Sequence, residues 1–217
     1  MTGREELLDR LYGAVLSGDV DRAVTVTREG LGGDIEPTAL LFDAMIPALE
    51  EAGRRFETGE VFLPEMLIAA NAMQGAMTIL RPLIVAAGVE TTGRFVMGTV
   101  AGDIHDLGKN LCNVMLEGAG FEVIDLGINV PAQAFVDAIR ETEPDVVGMS
   151  AFLTTTALEF ARNIELIRDA GLRDRVKILI GGAPVDQALV DSAGADGFAP
   201  DASSAVRVTK AVMGISS

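Results

Sequence analysis

The second half of the chain alternates strand-like apolar runs with helix-like amphipathic runs, and this alternation constrains the fold more than any other feature. The predicted strands are Phe95–Val100, Phe121–Leu126, Val146–Ser150, Val176–Ile180 and a short one near Gly197–Phe198. The predicted helices are Leu107–Ala119, Ala132–Glu141, Thr155–Ala170, Val185–Ser192 and a last one from about Ser203. Such alternation predicts an α/β domain of Rossmann-like (flavodoxin-like) type, a five-stranded parallel sheet with helices on both faces.

The first half has helical periodicity throughout and predicts a small four-helix bundle. The residues that cap, begin or end its helices are Gly18, Asp19, Pro37, Pro64 and Pro82. Pro47 falls inside the third helix, where its missing N–H predicts a bend or a broken hydrogen bond. A polar linker near Gly88–Gly93 then separates a helical cap domain, residues 1–88, from the α/β domain, residues 89–217.

Charge and composition exclude several classes of function. The 217 residues carry a formal net charge of −15, which disfavours binding to nucleic acids and to anionic membrane surfaces. No apolar run in the sequence looks close to a membrane span of roughly 18 residues, and the charged N-terminal segment is unlike a signal peptide. Cys112 is the single cysteine, so no internal disulfide or multi-cysteine zinc site is possible. We therefore expect a cytoplasmic protein.

The loop after the first predicted strand carries the only histidine of the chain. In a parallel sheet, ligands bind beyond the carboxyl ends of the strands, which is where His105 falls. Asp103 is near enough to fix the tautomer of the imidazole. Gly102 permits an unusual turn, and Gly108 lets the backbone pass close to a flat ligand.

Two interpretations of His105 remain open at this point. One is that His105 is an ordinary surface residue, as an isolated histidine often is, and the other is that it binds a metal. A protein metal site usually needs three or four side chains, and the chain has no second histidine or cysteine to complete one. His105 therefore suits a metal whose other positions are filled by a macrocycle, and both haem and a corrinoid satisfy that requirement.

Three blocks of sequence favour the corrinoid. Asp103-x-His105-x-x-Gly108, Ser150-Ala151-Phe152 and Gly181-Gly182 resemble the DxHxxG, SxL and GG motifs of cobalamin-binding domains of the base-off/His-on type. The 41 residues 109–149 and the 28 residues 153–180 separate the blocks, and both gaps suit that family. Phe152 departs from the usual leucine, which questions the local fit of the nucleotide tail.

The helical half carries a second resemblance. Phe56-x-x-Gly59-x-x-Phe62-Leu63-Pro64 is similar to the helical cap of methionine synthase and of small corrinoid proteins that serve methyl transfer. The resemblance implies that Phe56 and Leu63 lie over the upper face of the cobalt. The alternative is that both side chains belong to the core of the bundle. Cys112, early in the helix after the histidine loop, is interpreted as a buried structural thiol.

The resemblance also implies roles for the residues around the cofactor. The cofactor would be cobalamin or a related corrinoid, and His105 would be the lower ligand of its cobalt. Asp103 would accept the other ring proton, and the hydroxyl of Thr156 would complete a proton relay coupled to cycling between cob(I)alamin and methylcobalamin. Three further positions would contact the nucleotide tail or its surroundings: Ser150, Thr154 and the Gly181-Gly182 pair.

The function that the resemblance implies is that of a methyl carrier, a component of a methyltransferase system that is not catalytic alone. Its partners would be a substrate:corrinoid methyltransferase, a methyltransferase acting on the methyl acceptor, and a reductive activase. Two alternatives stay open. One is a cobalamin-dependent light sensor, which usually adds a DNA-binding domain, and the other is the small subunit of an adenosylcobalamin mutase, which normally lacks the cap. The sequence does not identify the methyl donor.

Overall fold

The computed structural model describes residues 3–86 and 91–215, apart from the side chains of residues 57, 85 and 203. The chain divides into two compact units, Met1–Glu90 and Thr91–Ser217. The predicted domain boundary between residues 88 and 89 lies outside the described residues.

The first unit is built of helices joined by short turns. They are α1 (Gly3–Leu16), α2 (Val20–Gly32), α3 (Pro37–Leu40), α4 (Ile46–Glu57) and α5 (Leu63–Ala86). The side chain of Asp19 caps α2 by accepting a hydrogen bond from the backbone N–H of Arg22, as the sequence predicted. The buried faces consist mainly of alanine, leucine and methionine side chains, which pack closely without aromatic residues.

The predicted irregularity at Pro47 is present. A π-helical turn, Leu41–Met45, joins α3 to α4, and the N–H of Ile46 donates to the carbonyl of Leu41. Pro47 has no N–H to donate, so it breaks the α-helical hydrogen-bond pattern at this point. The π-helical turn, which is wider than an α-helical one, accommodates this break. The third predicted helix is therefore two α-helices and a π turn.

Helix α5 corrects two expectations. Pro82 lies inside the helix, which continues to Ala86, whereas the sequence predicted that Pro82 would end it. Its stretch Leu63–Ile84 is also long and apolar enough, by length and composition alone, to cross a membrane. The core helix of a helical bundle meets the same criterion, and α5 packs against α1, α2 and α4 with Met73 and Leu80 fully buried.

The second unit alternates strands and helices. Its strands are β1 (Gly93–Thr99), β2 (Phe121–Asp125), β3 (Val146–Ser150), β4 (Lys177–Gly181) and β5 (Gly197–Ala199). Its α-helices are α6 (Leu107–Gly118), α7 (Ala132–Thr142), α8 (Glu159–Asp169), α9 (Gln187–Ala193) and α10 (Ala202–Val212), with a 3-10 turn at Arg173–Arg175. The strands form one parallel sheet in the order β2-β1-β3-β4-β5, which confirms the predicted fold class.

The sheet lies between two hydrophobic cores. Side chains such as Phe135, Phe160 and Ile164 pack against one face, and Phe95, Leu116 and Phe121 pack against the other. The last residues of three strands pair in register, because Ser150 pairs with both Thr99 and Gly181. The loops that follow them therefore begin at the same edge of the sheet. This carboxyl edge is the site of ligand binding in open parallel sheets.

Candidate functional site

The loop between β1 and α6 brings Asp103 and His105 into direct contact. The Nδ1 atom of His105 lies 2.7 Å from Oδ1 of Asp103, and the backbone N–H of His105 donates to the same oxygen at 3.0 Å. The side chain of Asp103 is fully buried, whereas that of His105 is 47% exposed. The loop therefore fixes the imidazole on one side and leaves the rest of the ring accessible.

The ionisation of Asp103 determines which nitrogen of His105 carries the proton. Burial alone would raise the pKa of this carboxyl, but hydrogen bonds from Thr156 and from the backbone of His105 and Phe152 hold the pKa well below its usual range. An ionised carboxylate only accepts hydrogen bonds, so Nδ1 must be the donor. In the neutral ring, Nε2 then keeps its lone pair and is the nitrogen left for a metal ion.

The segment after β3 holds the other oxygen of Asp103. Its Oδ2 accepts hydrogen bonds from the hydroxyl of Thr156 at 2.6 Å and from the backbone N–H of Phe152 at 2.8 Å. The sequence predicted a helix from Thr155, but α8 begins at Glu159. The segment stays outside the helix because Asp103 engages its backbone and its threonine hydroxyl.

Phe152, the departure from the cobalamin-binding motif, packs on the candidate ligand. Its ring is stacked on that of His105, with centroids 4.5 Å apart. Several other large apolar side chains in the segments that follow β1, β2 and β3 are exposed: Ile104, Leu107, Ile128, Leu153 and Leu158. A cluster of exposed apolar side chains is typical of a surface that binds a ligand or a partner.

A cavity of about 790 Å³ lies beside His105, along the face of the sheet that carries α6 and α10. Its wall includes six of the predicted site residues: His105, Gly108, Ser150, Phe152, Gly181 and Gly182. Gly182 has a φ of +129°, and a Cβ atom there would lie 1.8 Å from the carbonyl oxygen of Ala151. Only glycine therefore fits at this point of the wall.

The character of the cavity suits the tail of a corrinoid. Apolar side chains such as Phe95, Met97 and Leu179 line it, and Thr209 contributes a buried hydroxyl that has no hydrogen-bond partner among the described residues. An orphaned polar atom in an apolar cavity is a position where a ligand atom supplies the missing bond. The described residues contain no cluster of three or more metal-ligating side chains, so the protein offers His105 alone to a metal held by a macrocycle.

Lys109 and Cys112 of helix α6 also line the cavity. Cys112 is half-buried there, and burial raises the pKa of its thiol to about 12, which favours the thiol over the reactive thiolate at neutral pH. Lys109 is buried, and its Nζ lies 2.6 Å from Oδ2 of Asp125 and 2.7 Å from Oδ1 of Asn110. The sequence interpretation overlooked Lys109, because a lysine in the first turn of a helix usually reaches solvent.

The remaining predicted site residues lie elsewhere. Thr154 is exposed and does not belong to the wall of the cavity, so its role in binding the tail stays a prediction. Phe56 is partly buried near the end of α4, and Leu63 is partly exposed at the start of α5. Both are in the helical unit, and their role above a cobalt also stays a prediction.

Asn129, in the loop after β2, contacts the histidine loop and was not anticipated from the sequence. Its Oδ1 accepts a hydrogen bond from the N–H of Gly102 at 2.7 Å, and its own N–H donates to the carbonyl of Asp103 at 2.9 Å. No motif marks this residue, because the contact depends on the register between β1 and β2.

Comparison with known proteins assigns both units. A family model described as B12 binding domain matches residues 93–207, and a second model with the same description matches residues 7–81. The chain is 40% identical to the dimethylamine corrinoid protein of Methanosarcina barkeri over 97% of this chain and 99% of that protein. It is 37% identical to the trimethylamine corrinoid protein of the same organism, over 99% of this chain and 100% of that protein.

A solved structure gives the same assignment. The chain superposes on the methanol:cobalamin methyltransferase complex of Methanosarcina barkeri with a TM-score of 0.85 and 26% identity, over 98% of this chain and 81% of that chain. Matches of this extent cover the α/β unit with the histidine loop as well as the helical unit. The chain therefore belongs to the family of corrinoid proteins with B12 binding domains.

Proposed function

We propose that this chain is a methyl carrier that holds a corrinoid in the base-off/His-on state and serves two methyltransferases. The observation that carries the proposal is the contact between His105 and Asp103 at the mouth of the cavity. When bound, a corrinoid supplies a cobalt centre that accepts a methyl group and releases it. The chain would supply His105 to hold the cobalt and the cavity to hold the tail.

The residues around His105 hold a proton on Nδ1. In the neutral ring, Nδ1–H donates to Asp103, so Nε2 is unprotonated and is the atom that would hold the cobalt. Thr156 keeps Asp103 oriented through its 2.6 Å hydrogen bond. Asp103 and Thr156 would thereby keep Nε2 available for the cobalt.

The cavity would take the nucleotide tail. The proposed contacts are the Gly181-Gly182 pair at the wall and the orphaned hydroxyl of Thr209. The exposed apolar side chains around His105 give a flat macrocycle an apolar surface to rest on. Phe56 and Leu63 are proposed to shield its other face, as the resemblance to the cap of methionine synthase implies.

The partners are proposed as a class. A substrate:corrinoid methyltransferase would load the carrier, a second methyltransferase would unload it, and a reductive activase would restore it after oxidation. The relatives named for dimethylamine and trimethylamine are 40% and 37% identical to this chain, and these similar values do not select a donor. The net charge of −15 argues against nucleic acids as partners, and a cytoplasmic location accords with these partners.

Reconstitution with hydroxocobalamin tests the proposal. We expect binding close to one to one, with a visible spectrum that differs from that of the free cofactor. The variant His105→Ala should bind with an altered Co(III) spectrum, because the axial nitrogen is lost. Gln133→Ala on the exposed surface of α7 is the matched control and should leave the spectrum unchanged. An identical spectrum for the wild type and His105→Ala would refute the axial role of His105.

A further inference from the structure

We propose that Asn129 is a positioning residue that holds the Asp103–His105 loop in its ligating conformation. The proposal rests on the proposed axial role of His105. It adds a residue that acts through the histidine loop and need not contact the cofactor. Asn129 makes two hydrogen bonds to the loop, one through its side chain and one through its backbone.

The histidine loop has a shape that Asn129 can stabilise. A turn follows β1, in which the N–H of Asp103 donates to the carbonyl of Val100 at 3.2 Å and Gly102 has a φ of +79°. This turn reverses the chain and aims the carboxylate of Asp103 at Nδ1 of His105. The turn leaves the N–H of Gly102 pointing away from the loop, and Oδ1 of Asn129 receives it.

The segment that carries Asn129 is held in place by pairing with β1. Beyond β2, the chain continues to pair with β1, because the N–H of Thr99 donates to Gly127 and the N–H of Val130 donates to Thr99. A parallel bridge between Val100 and Val130 ends this pairing. The backbone around Asn129 is therefore fixed to the strand that leads into the histidine loop.

Asparagine suits the backbone conformation at position 129. Asn129 has a φ of +51°, a left-handed conformation that asparagine adopts more readily than most residues with a side chain. Only a short side chain with an acceptor oxygen both tolerates this backbone and reaches Gly102. Aspartate meets the same two requirements, and glycine meets only the first. Comparing asparagine, aspartate and glycine at position 129 therefore separates the effect of the side-chain hydrogen bond from the effect of the backbone conformation.

The test uses the full chain loaded with cobalamin and reduced to cob(II)alamin, whose electron paramagnetic resonance spectrum reports a coordinated nitrogen. In Asn129→Gly, we expect the ratio of His-off to His-on cofactor to rise roughly two- to fivefold, as expected for the loss of one exposed hydrogen bond. Asn129→Asp should restore the wild-type ratio. Glu143→Gly, which changes another residue with positive φ in the same unit, is the matched control.

The possible results distinguish the positioning role of Asn129 from the axial role of His105, on which it rests. A purely structural role for Asn129 would lower the free energy of unfolding but leave the His-on ratio of the bound cofactor unchanged, and that result overturns the proposal. If His105→Ala alters the spectrum and Asn129→Gly does not, Asn129 has no positioning role. If ¹⁵N labelling of His105 leaves the nitrogen signal unchanged, the axial role of His105 fails, and the role of Asn129 fails with it.

Discussion

The two units of the chain differ in where they place polar side chains. In the helical unit, Glu51 bonds both Arg54 and Arg55 at the surface. In the α/β unit, Asp103 and Lys109 are buried and have partners within 2.7 Å. Among the described residues, Thr27 is the one buried polar residue of the helical unit, and the other eight belong to the α/β unit.

This difference shows which unit carries the site chemistry. Burying a charge is unfavourable unless its partners replace the lost water, so a fold retains such groups only where each one is satisfied. The helical unit needs little beyond an amphipathic pattern, and surface ion pairs contribute little to its stability. In the α/β unit, the buried Asp103 contacts His105, and the buried Lys109 lines the same cavity as His105. Each of the following predictions compares one change at the site with its counterpart in the helical unit.

The largest effect is expected from Asp103→Ala. The change removes a buried acceptor and leaves the hydroxyl of Thr156 and the N–H of Phe152 without it, so the free energy of unfolding should fall by roughly 2–4 kcal/mol. Glu51→Ala in the helical unit should have a small effect, because its partners are exposed. Urea denaturation monitored by circular dichroism measures both. Equal losses in the two variants would contradict the contrast between the units.

Two glycines give the next comparison. Gly182→Ala places a Cβ atom against the carbonyl of Ala151 in addition to the strained φ, and we expect a loss of roughly 2–3 kcal/mol together with weaker cobalamin binding. Gly59→Ala has a φ of +73° but no atom within 4 Å of the new Cβ, so the strain alone should cost about 1 kcal/mol. Thermal unfolding and cobalamin titration test the pair. Unchanged cobalamin affinity in Gly182→Ala would remove that residue from the wall of the tail site.

Both units should lose stability in acid, but they should differ in how salt changes that stability. The folded state depresses the pKa of Asp103, so its contribution to stability is present above the unfolded pKa of about 4 and is lost as the pH falls below that value. Hydrogen bonds from Arg54 and Arg55 likewise lower the pKa of Glu51 to about 2, but that contact is exposed. Urea denaturation at pH 6 and pH 3 should show both contributions declining in acid. At pH 6, 1 M NaCl should suppress the contribution of Glu51 and spare that of Asp103.

Comparing Glu51→Gln and Asp103→Asn with the wild type isolates each contribution. If salt suppressed both to the same degree, the carboxylate of Asp103 would be accessible to solvent, contrary to its burial in the structure.

The smallest effect is expected from Phe152→Leu. The change removes the ring stacked on His105 and should weaken the ordering of the imidazole by roughly 0.5–1 kcal/mol. Cobalamin affinity should fall severalfold at most, because the relay of hydrogen bonds to Asp103 remains. Phe42→Leu, at an exposed position of the helical unit, serves as the control. A tenfold or greater loss of affinity would show that Phe152 contacts the cofactor directly.

Most of the fold could be predicted from the sequence, because both units follow simple periodic patterns. Alternating apolar runs placed all five strands within two residues of their observed ends, and the capping role of Asp19 followed from its position before an amphipathic segment. Pro82 was misjudged because proline is tolerated in the last turns of a long helix when packing compensates for one missing bond. The segment after β3 was misjudged because a tertiary contact with Asp103 overrides its helical pattern.

The site was less accessible to sequence reasoning. The contact between Asp103 and His105 could be anticipated from their separation of two residues on one loop. The contribution of Asn129 could not, because hydrogen bonds between loops depend on strand register and on backbone angles that no local pattern encodes. The hydroxyl of Thr209 is a similar case, since only the packing of α10 on the sheet places it beside the cavity.

The most direct test of the axial role of His105 uses isotopic labelling. His105 is the only histidine, so growth on ¹⁵N-histidine labels one residue of a chain purified without a histidine tag. Cobalamin is bound and reduced to cob(II)alamin, and electron paramagnetic resonance resolves the splitting from the axial nitrogen. We predict that the triplet of the unlabelled protein becomes a doublet in the labelled protein. A triplet that persists after labelling, or a spectrum without nitrogen splitting, would contradict the account.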